Sequence, residues 1–352
     1  MSVQQSHGVA NVAQLAEFDE IIDARSPAEY AEDRLPGAIS CPVLDDQQRA
    51  QVGTLYKQSS PFAARKIGAV LVARNIAAHI EQNFLDKPRN WRPLVYCWRG
   101  GQRSGAFTHI LRQIGWDAQR LAGGYKAWRN HVIEQLNLLP PRFNYRVVSG
   151  ATGSGKSRLL ETLASLGAQV LHLEEMAAHK GSVLGGMPGQ TQPSQRMFES
   201  RLLESFIRLD PRRPVFVEAE SRRIGNVQLP NALLDLIRSA PSVYIDASAT
   251  ARVEFLLRDY AYLLTDPRWL IEKLGFLRGL QSNETLAHWT ELVELGEFPA
   301  LVRELLELHY DPLYLRSQGK NYAGFQNAIR LVTDDLSPAG ILRLAEETLS
   351  HT

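Results

Sequence analysis

Residues 145–157 read Tyr145-Arg146-Val147-Val148-Ser149-Gly150-Ala151-Thr152-Gly153-Ser154-Gly155-Lys156-Ser157. The apolar run from Tyr145 to Val148 predicts a strand, and the spacing from Arg158 to Leu166 predicts a helix. Between them, Gly150 to Ser157 fits G-x-x-x-x-G-K-[ST] in full, in the strand–loop–helix context that a phosphate loop needs. Glycines let backbone amides turn toward phosphate oxygens, and a helix N-terminus favours an anion. Gly150, Gly153, Ser154 and Gly155 shape this nest. Lys156 supplies a point charge, and Ser157 is a candidate ligand for Mg2+. The motif alone does not separate a nucleotide from another diphosphate.

Downstream of the loop, strands are predicted at Gln169 to Leu173, Val215 to Glu218 and Val243 to Asp246. Glu218 and Glu220, at a strand end, are candidates to orient a metal or a water, with a solvated carboxylate as the plain alternative. From Thr250 to Leu315 the pattern is mostly helical, punctuated by Pro267, Pro299 and Pro312. Arg252 and Arg258 lie on one of these helices. They are candidates to close over phosphates, against the simpler reading of surface charge. Lys180 to Ser194, rich in Gly, Ser, Pro and Gln, reads as a mobile loop.

Upstream, Leu138-Leu139-Pro140-Pro141-Arg142 reads as a stiff linker, because two prolines remove backbone donors. The expected division is 1–138 and 139–352, with the linker at about 138–143. The first part also alternates strand and helix: Glu20 to Ala24, Leu94 to Tyr96, then a helix at Gly105 to Ile114. On that helix Phe107, Ile110, Leu111 and Ile114 share one side. Both halves therefore point to α/β domains with mainly parallel sheets, the second ending in a helical part.

Cys97 stands at the end of a predicted strand in Tyr96-Cys97-Trp98-Arg99-Gly100-Gly101-Gln102-Arg103-Ser104, ahead of a helix. The helix N-terminus carries partial positive charge, and two glycines allow the loop amides to curl inward. Arg99 and Arg103 add full charges. All four features favour negative charge on the sulfur, the state in which a cysteine is a nucleophile. Cys41, in Ile39-Ser40-Cys41-Pro42-Val43, reads instead as a buried, inert thiol.

The bulk properties narrow the class. Among 352 residues, 44% are hydrophobic and 22% charged, an ordinary globular balance with room for two cores. No run is long and apolar enough to span a membrane. Met1 to Gln14 lacks the apolar core of a secretory signal. With only two cysteines and no Cys/His cluster of zinc spacing, a cytoplasmic, reducing setting is expected and a disulfide framework is not. The net charge of +1 gives no general argument for nucleic acid, although only eight of the 39 basic residues are Lys.

The first half resembles the rhodanese family. Asp23-Ala24-Arg25-Ser26-Pro27-Ala28-Glu29-Tyr30 is similar to the family's Asp-x-Arg…Glu-Tyr signature. Leu35-Pro36-Gly37-Ala38-Ile39, the Cys97 loop and Gly123-Gly124-Tyr125-Lys126-Ala127-Trp128 resemble its later motifs, in order. The resemblance implies a loop cysteine that carries sulfur or selenium. One departure is the Cys-x5-Arg spacing from Cys97 to Arg103, one residue longer than in many single-domain rhodaneses. That spacing also resembles Cys-dependent phosphatases.

The whole chain, with a rhodanese-like domain ahead of a phosphate-loop domain, resembles the bacterial tRNA 2-selenouridine synthase family. Leu173-Glu174-Glu175, His179-Lys180-Gly181-Ser182, Val217-Glu218-Ala219-Glu220-Ser221 and His309-Tyr310-Asp311-Pro312-Leu313-Tyr314 extend the likeness. It implies geranylation of wobble 2-thiouridine from geranyl diphosphate. Sulfur is then replaced by selenium from selenophosphate through a Cys97 carrier, with Trp98, Arg99, Gly100, Gly101, Gln102 and Arg103 around the anion. It further implies tRNA as substrate, a selenophosphate-supplying enzyme as a partner, no tightly bound cofactor, and Mg2+ as a possible co-ion. Trp98 is placed either to stack on the wobble base or to pack in the core. Lys57 to Lys66, with Arg65, is a candidate basic contact. An ATP- or GTP-dependent kinase with a regulatory rhodanese module, a Cys-dependent phosphatase and a sulfur-relay protein remain as alternatives at this point.

Overall fold

The computed structural model describes residues 8–181, 185–186, 189–264, 266–314, 316 and 327–351. The chain divides into two compact units, Met1–Gln135 with Ser194–Glu204, and Leu136–Pro193 with Ser205–Thr352. A contiguous division at 138–143 does not capture the return of Ser194–Glu204 to the first unit. The helix Gly124–Leu138 runs up to the two prolines, where Pro140–Arg142 form one tight helical turn.

The first unit is built on five strands: β1 (Val9–Ala10), β2 (Glu20–Asp23), β3 (Ile39–Ser40), β4 (Pro93–Tyr96) and β5 (Gln119–Leu121). They form an all-parallel sheet in the order β1-β5-β4-β2-β3. Every residue of the central strand β4 is buried, as expected of a parallel strand covered on both faces. Phe107 and Leu111 of the helix Gln102–Ile114 pack with Ile22, Val95 and Phe84. Ile114, expected on the same side, is 51% exposed. It ends the last turn before Gly115, which enters the left-handed region at φ +111°, and the chain leaves the core there.

In the second unit, β6 (Tyr145–Gly150), β7 (Gln169–Leu171), β8 (Val215–Glu218), β11 (Ser242–Ala247) and β12 (Ile329–Thr333) form a parallel sheet. Its order is β12-β11-β6-β8-β7. A separate antiparallel hairpin joins β9 (Arg223–Ile224) and β10 (Val227–Gln228). After β6 the chain first builds one side of the sheet and then the other, so the loop after β6 lies at the reversal point where α/β sheets bind ligands. The helix Lys156–Ser165, two residues earlier in onset than its apolar spacing predicts, buries Leu159, Leu160 and Leu163 against Val148, Val243 and Ile245.

The predicted helical stretch is present as Ala249–Asp259, Pro267–Leu274, Asn283–Leu295 and Phe298–Leu305, with shorter turns between. Pro267 and Pro299 fall in first turns, where a missing N–H costs nothing. These helices close a second core around Trp289, Leu274, Leu277 and Leu301. The loop expected at 180–194 lies partly outside the described residues, as do Ser182 and Leu315.

Candidate functional site

Two sites stand at the carboxyl ends of central strands, one in each unit. In the first, β4 delivers Cys97 and the helix Gln102–Ile114 begins just beyond it. Cys97 is 3% exposed. Its Sγ accepts from the Gly101 amide at 3.3 Å and lies 3.2 Å from Ser104 Oγ. Ser104 carried no special signal in the sequence beyond its place in the loop. Gln102 and Arg99 are exposed, and Arg99 makes no ion pair among the described residues. Arg103 is not aimed at the sulfur. Its guanidinium makes two hydrogen bonds to Glu29, at 2.7 and 3.3 Å. Burial pushes the Glu29 carboxyl up, but Arg103, the Ser26 amide and Arg49 together hold it below its ordinary value.

The shape of this loop is set from below. Asp23 and Tyr96 are register neighbours on β2 and β4. Arg25, 1% exposed, is bound to both Asp23 oxygens and donates to the Asp33 carbonyl at 2.6 Å. Tyr96 OH donates to Asp23 at 2.6 Å, and Tyr125 OH donates to Asp33 at 2.8 Å. The Arg25 guanidinium lies over both rings, 5.3 Å from Tyr96 and 4.1 Å from Tyr125. Burial and the neighbouring carboxylates hold both phenols well above their ordinary value, so they remain donors. Tyr125 returns to the site through its amide, which donates to the Cys97 carbonyl at 2.8 Å. Gly124 makes this closure possible. Its φ is +58°, and a Cβ there would lie 2.2 Å from the Cys97 carbonyl oxygen.

Trp98 is half-buried and tilts against Tyr125, with ring centroids 5.3 Å apart. Cys41 is buried among core residues, its thiol pushed up to about 12 by burial, Glu20 and Asp23. Lys57 and Arg65 flank the tip of a helical hairpin, Asp46–Gln58 and Pro61–Asn83, where Tyr56 and Phe62 are 54% and 67% exposed.

In the second unit, the phosphate loop turns through left-handed backbone at Gly153, where a Cβ would strike Leu256 at 2.8 Å. Lys156 Nζ donates to the loop's own carbonyls at Gly150 (2.9 Å) and Ala151 (3.3 Å). Burial lowers its proton affinity, against the pull of three nearby glutamates. Ser154 Oγ, in a residue 1% exposed, has no hydrogen-bond partner among the described residues.

The three glutamates form a cluster. Glu218 ends β8 beside Val148 in register, Glu220 follows it, and Glu174 opens the short helix after β7. One carboxylate oxygen from each lies within 4.8 Å of the others. Ser157 Oγ donates to Glu174 at 2.8 Å. Burial, then mutual repulsion, raises the Glu218 and Glu220 carboxyls, Glu220 to about 8; Glu174 is raised by burial. Sequence reading singles out Glu218 and Glu220 as site candidates but gives no role to Glu174, which it meets only inside the Leu173-Glu174-Glu175 motif.

Arg252 is 7% exposed and braces the loop. Its Nε donates to the Thr152 carbonyl at 2.8 Å, and it makes two bonds to Asp311, at 2.6 and 3.1 Å. Arg258 instead donates to the Leu336 carbonyl at 2.5 Å.

Residues 143–275 match a family model described as the tRNA 2-selenouridine synthase AAA domain, and residues 9–131 match the rhodanese-like domain. A tRNA 2-selenouridine synthase of Nitrosomonas eutropha is 35% identical over 84% of this chain and 88% of that protein. One from Bdellovibrio bacteriovorus is 32% identical over 84% of this chain and 88% of that protein. A third, from Nitrosomonas europaea, is 37% identical over 70% of this chain and 64% of that protein.

Proposed function

The chain belongs to the tRNA 2-selenouridine synthase family, and we propose from this that it replaces the sulfur of wobble 2-thiouridine in tRNA by selenium, by way of an S-geranyl intermediate. The observation that carries the reading is that both chemistries have intact loops in one chain, within a family match that runs through both units.

In the first step the wobble sulfur attacks the first carbon of geranyl diphosphate. A carbon–sulfur bond forms, the carbon–oxygen bond breaks, and diphosphate leaves with the electron pair. The phosphate loop supports the leaving anion through its amides and Lys156. The orphaned Ser154 hydroxyl is a further donor pointing to the same occupant. In the second step selenophosphate, held beside Cys97 with its selenium still at the selenide level, attacks the uracil carbon through that selenium. A carbon–selenium bond forms, geranylthiol leaves with its electron pair, and water takes the phosphoryl group as phosphate. The Gly101 amide and the Ser104 hydroxyl supply the polarity at Cys97 Sγ.

Ser157 and the oxygens of Glu174, Glu218 and Glu220 fit a hard divalent cation such as Mg2+, whose preferred donors are oxygens. The ion would add charge opposite a diphosphate. For the RNA, the hairpin tip with Tyr56, Lys57, Phe62 and Arg65 offers rings and cations suited to an anticodon loop. Among the described residues no helix is long and apolar enough to cross a membrane.

The test is mass spectrometry of nucleosides from thiolated tRNA incubated with geranyl diphosphate and selenophosphate. Cys97→Ala is expected to accumulate S-geranyl-2-thiouridine with no selenium product. Lys156→Ala is expected to lose the geranyl product. Normal selenium incorporation by Cys97→Ala would remove the role of Cys97.

A further inference from the structure

We propose that an apolar cleft beside the phosphate loop binds the hydrocarbon chain of a prenyl diphosphate, and so selects that ligand over a nucleotide. The inference rests on the reading that the loop takes a diphosphate, and adds where the rest of the donor goes.

The empty space of the cleft, open solvent included, is about 640 Å3. Thr152, Leu256, Tyr260, Leu301, Leu305 and Tyr310 are among its walls, and all but the threonine are aliphatic or aromatic. Thr152 belongs to the phosphate loop itself. Leu256 packs so closely on the loop's turn that a Cβ at Gly153 would touch it. The cleft therefore begins where the diphosphate site ends.

The wall and the loop are also tied together. Leu306–Tyr310 form a single widened helical turn, of a kind that often marks functional segments. The next residue, Asp311, holds Arg252 against the Thr152 carbonyl. The His309-Tyr310-Asp311 motif thus supplies a cleft wall through Tyr310 and a loop brace through Asp311.

The lining chooses the ligand. A ribose and a base carry several donors and acceptors, and burying these against leucines leaves them unpaired, at a cost. A branched hydrocarbon loses no hydrogen bond there and is driven in by burial of its own surface. A phosphate loop alone is indifferent to what its phosphates carry, and this cleft removes the indifference.

The experiment is equilibrium binding of the full chain to inorganic diphosphate, to dimethylallyl, geranyl and farnesyl diphosphates, and to ATP. Geranyl diphosphate is expected to bind tighter than both inorganic diphosphate and ATP. Val302, a half-buried lining residue, is the position to vary. Val302→Trp is expected to weaken geranyl diphosphate by about tenfold or more while leaving inorganic diphosphate unchanged. Geranyl diphosphate binding no tighter than inorganic diphosphate, or insensitive to Val302→Trp, overturns the cleft. If Val302→Trp also loses inorganic diphosphate, Val302→Ala decides. It must raise the preference for farnesyl over geranyl diphosphate, and an unchanged ratio overturns the cleft. Lys156→Ala separates the underlying reading: if it binds inorganic diphosphate as the parent does, the phosphate-loop assignment fails first.

Discussion

Cys97 and Lys156 both follow the central strand of a parallel sheet, behind glycines and at the start of a helix, yet their surroundings are charged in opposite ways. Around Cys97 the two less exposed cations are already matched: Arg25 lies on Asp23 and Arg103 on Glu29. What reaches the sulfur is an amide and a hydroxyl. Around Lys156 the balance is reversed, with two buried glutamates and the half-buried Glu174 gathered near one ammonium that is itself turned onto loop carbonyls. The same strand–loop–helix frame thus serves one site by neutral dipoles over a closed ionic base, and the other by an uneven cluster of charge. The first arrangement suits an atom that must hold and release a polarisable anion. The second suits a ligand that brings several negative charges together with a cation.

Breaking the ionic base should have the largest effect. Asp23→Asn leaves Arg25 buried without its carboxylate, at a cost of about 3–5 kcal/mol. Denaturant unfolding of the full chain is expected to show that loss in the transition of the first unit. An unchanged midpoint would mean that Arg25 finds another partner and that the base is not closed.

A smaller change distorts the cysteine loop alone. Gly124→Ala forces a Cβ onto the Cys97 carbonyl at a backbone angle that disfavours side chains, costing about 1–3 kcal/mol. Selenium incorporation should fall while geranylation continues, as read by nucleoside mass spectrometry. Equal loss of both products would contradict the independence of the two loops.

The glutamate cluster is tested through pH rather than by removing a contact. Glu220 titrates at about 8 in the folded chain against an ordinary 4.5. Between these values the folded form binds more protons than the unfolded chain, so stability falls as pH rises. The contribution is whole below the ordinary value and is lost as pH climbs through the folded one. Thermal melts at the two ends of that window should show a drop for the parent and a flatter response for Glu220→Gln. A parent that gains stability toward the upper end would overturn the account.

Much of this was readable in the residues. Val215–Glu218 is a strand at the bounds its apolar run predicts, and Tyr145 to Val148 runs on only to Gly150. Val215–Glu218 is fully buried and β6 is buried at all but Arg146, and such strands announce themselves by composition. β1, β3 and β5 do not, because two or three residues show no alternation and take their pairing from neighbours. In the sites, Cys97 and the phosphate loop were legible because their chemistry is local. The roles of Glu174 and Asp311, which stand in the resembling motifs without a task, and the diversion of Arg103 to Glu29 were not, since each depends on a contact made across the fold. Arg252, read either as a residue that closes over phosphates or as surface helix charge, is instead buried as the brace of Thr152. The apolar cleft takes most of its walls from separate helices, so no single motif announces it.

The buried group under the cysteine loop bears on how such a loop can be moved between proteins. Tyr96 is held by a residue 73 positions earlier, and Tyr125 by one 92 positions earlier. A cassette from Cys97 to Ser104, grafted onto another parallel sheet, would carry its nucleophile but not its mould. The transferable part is discontinuous: Asp23, Arg25 and Asp33 would have to travel with it, together with Gly124 and the two tyrosines.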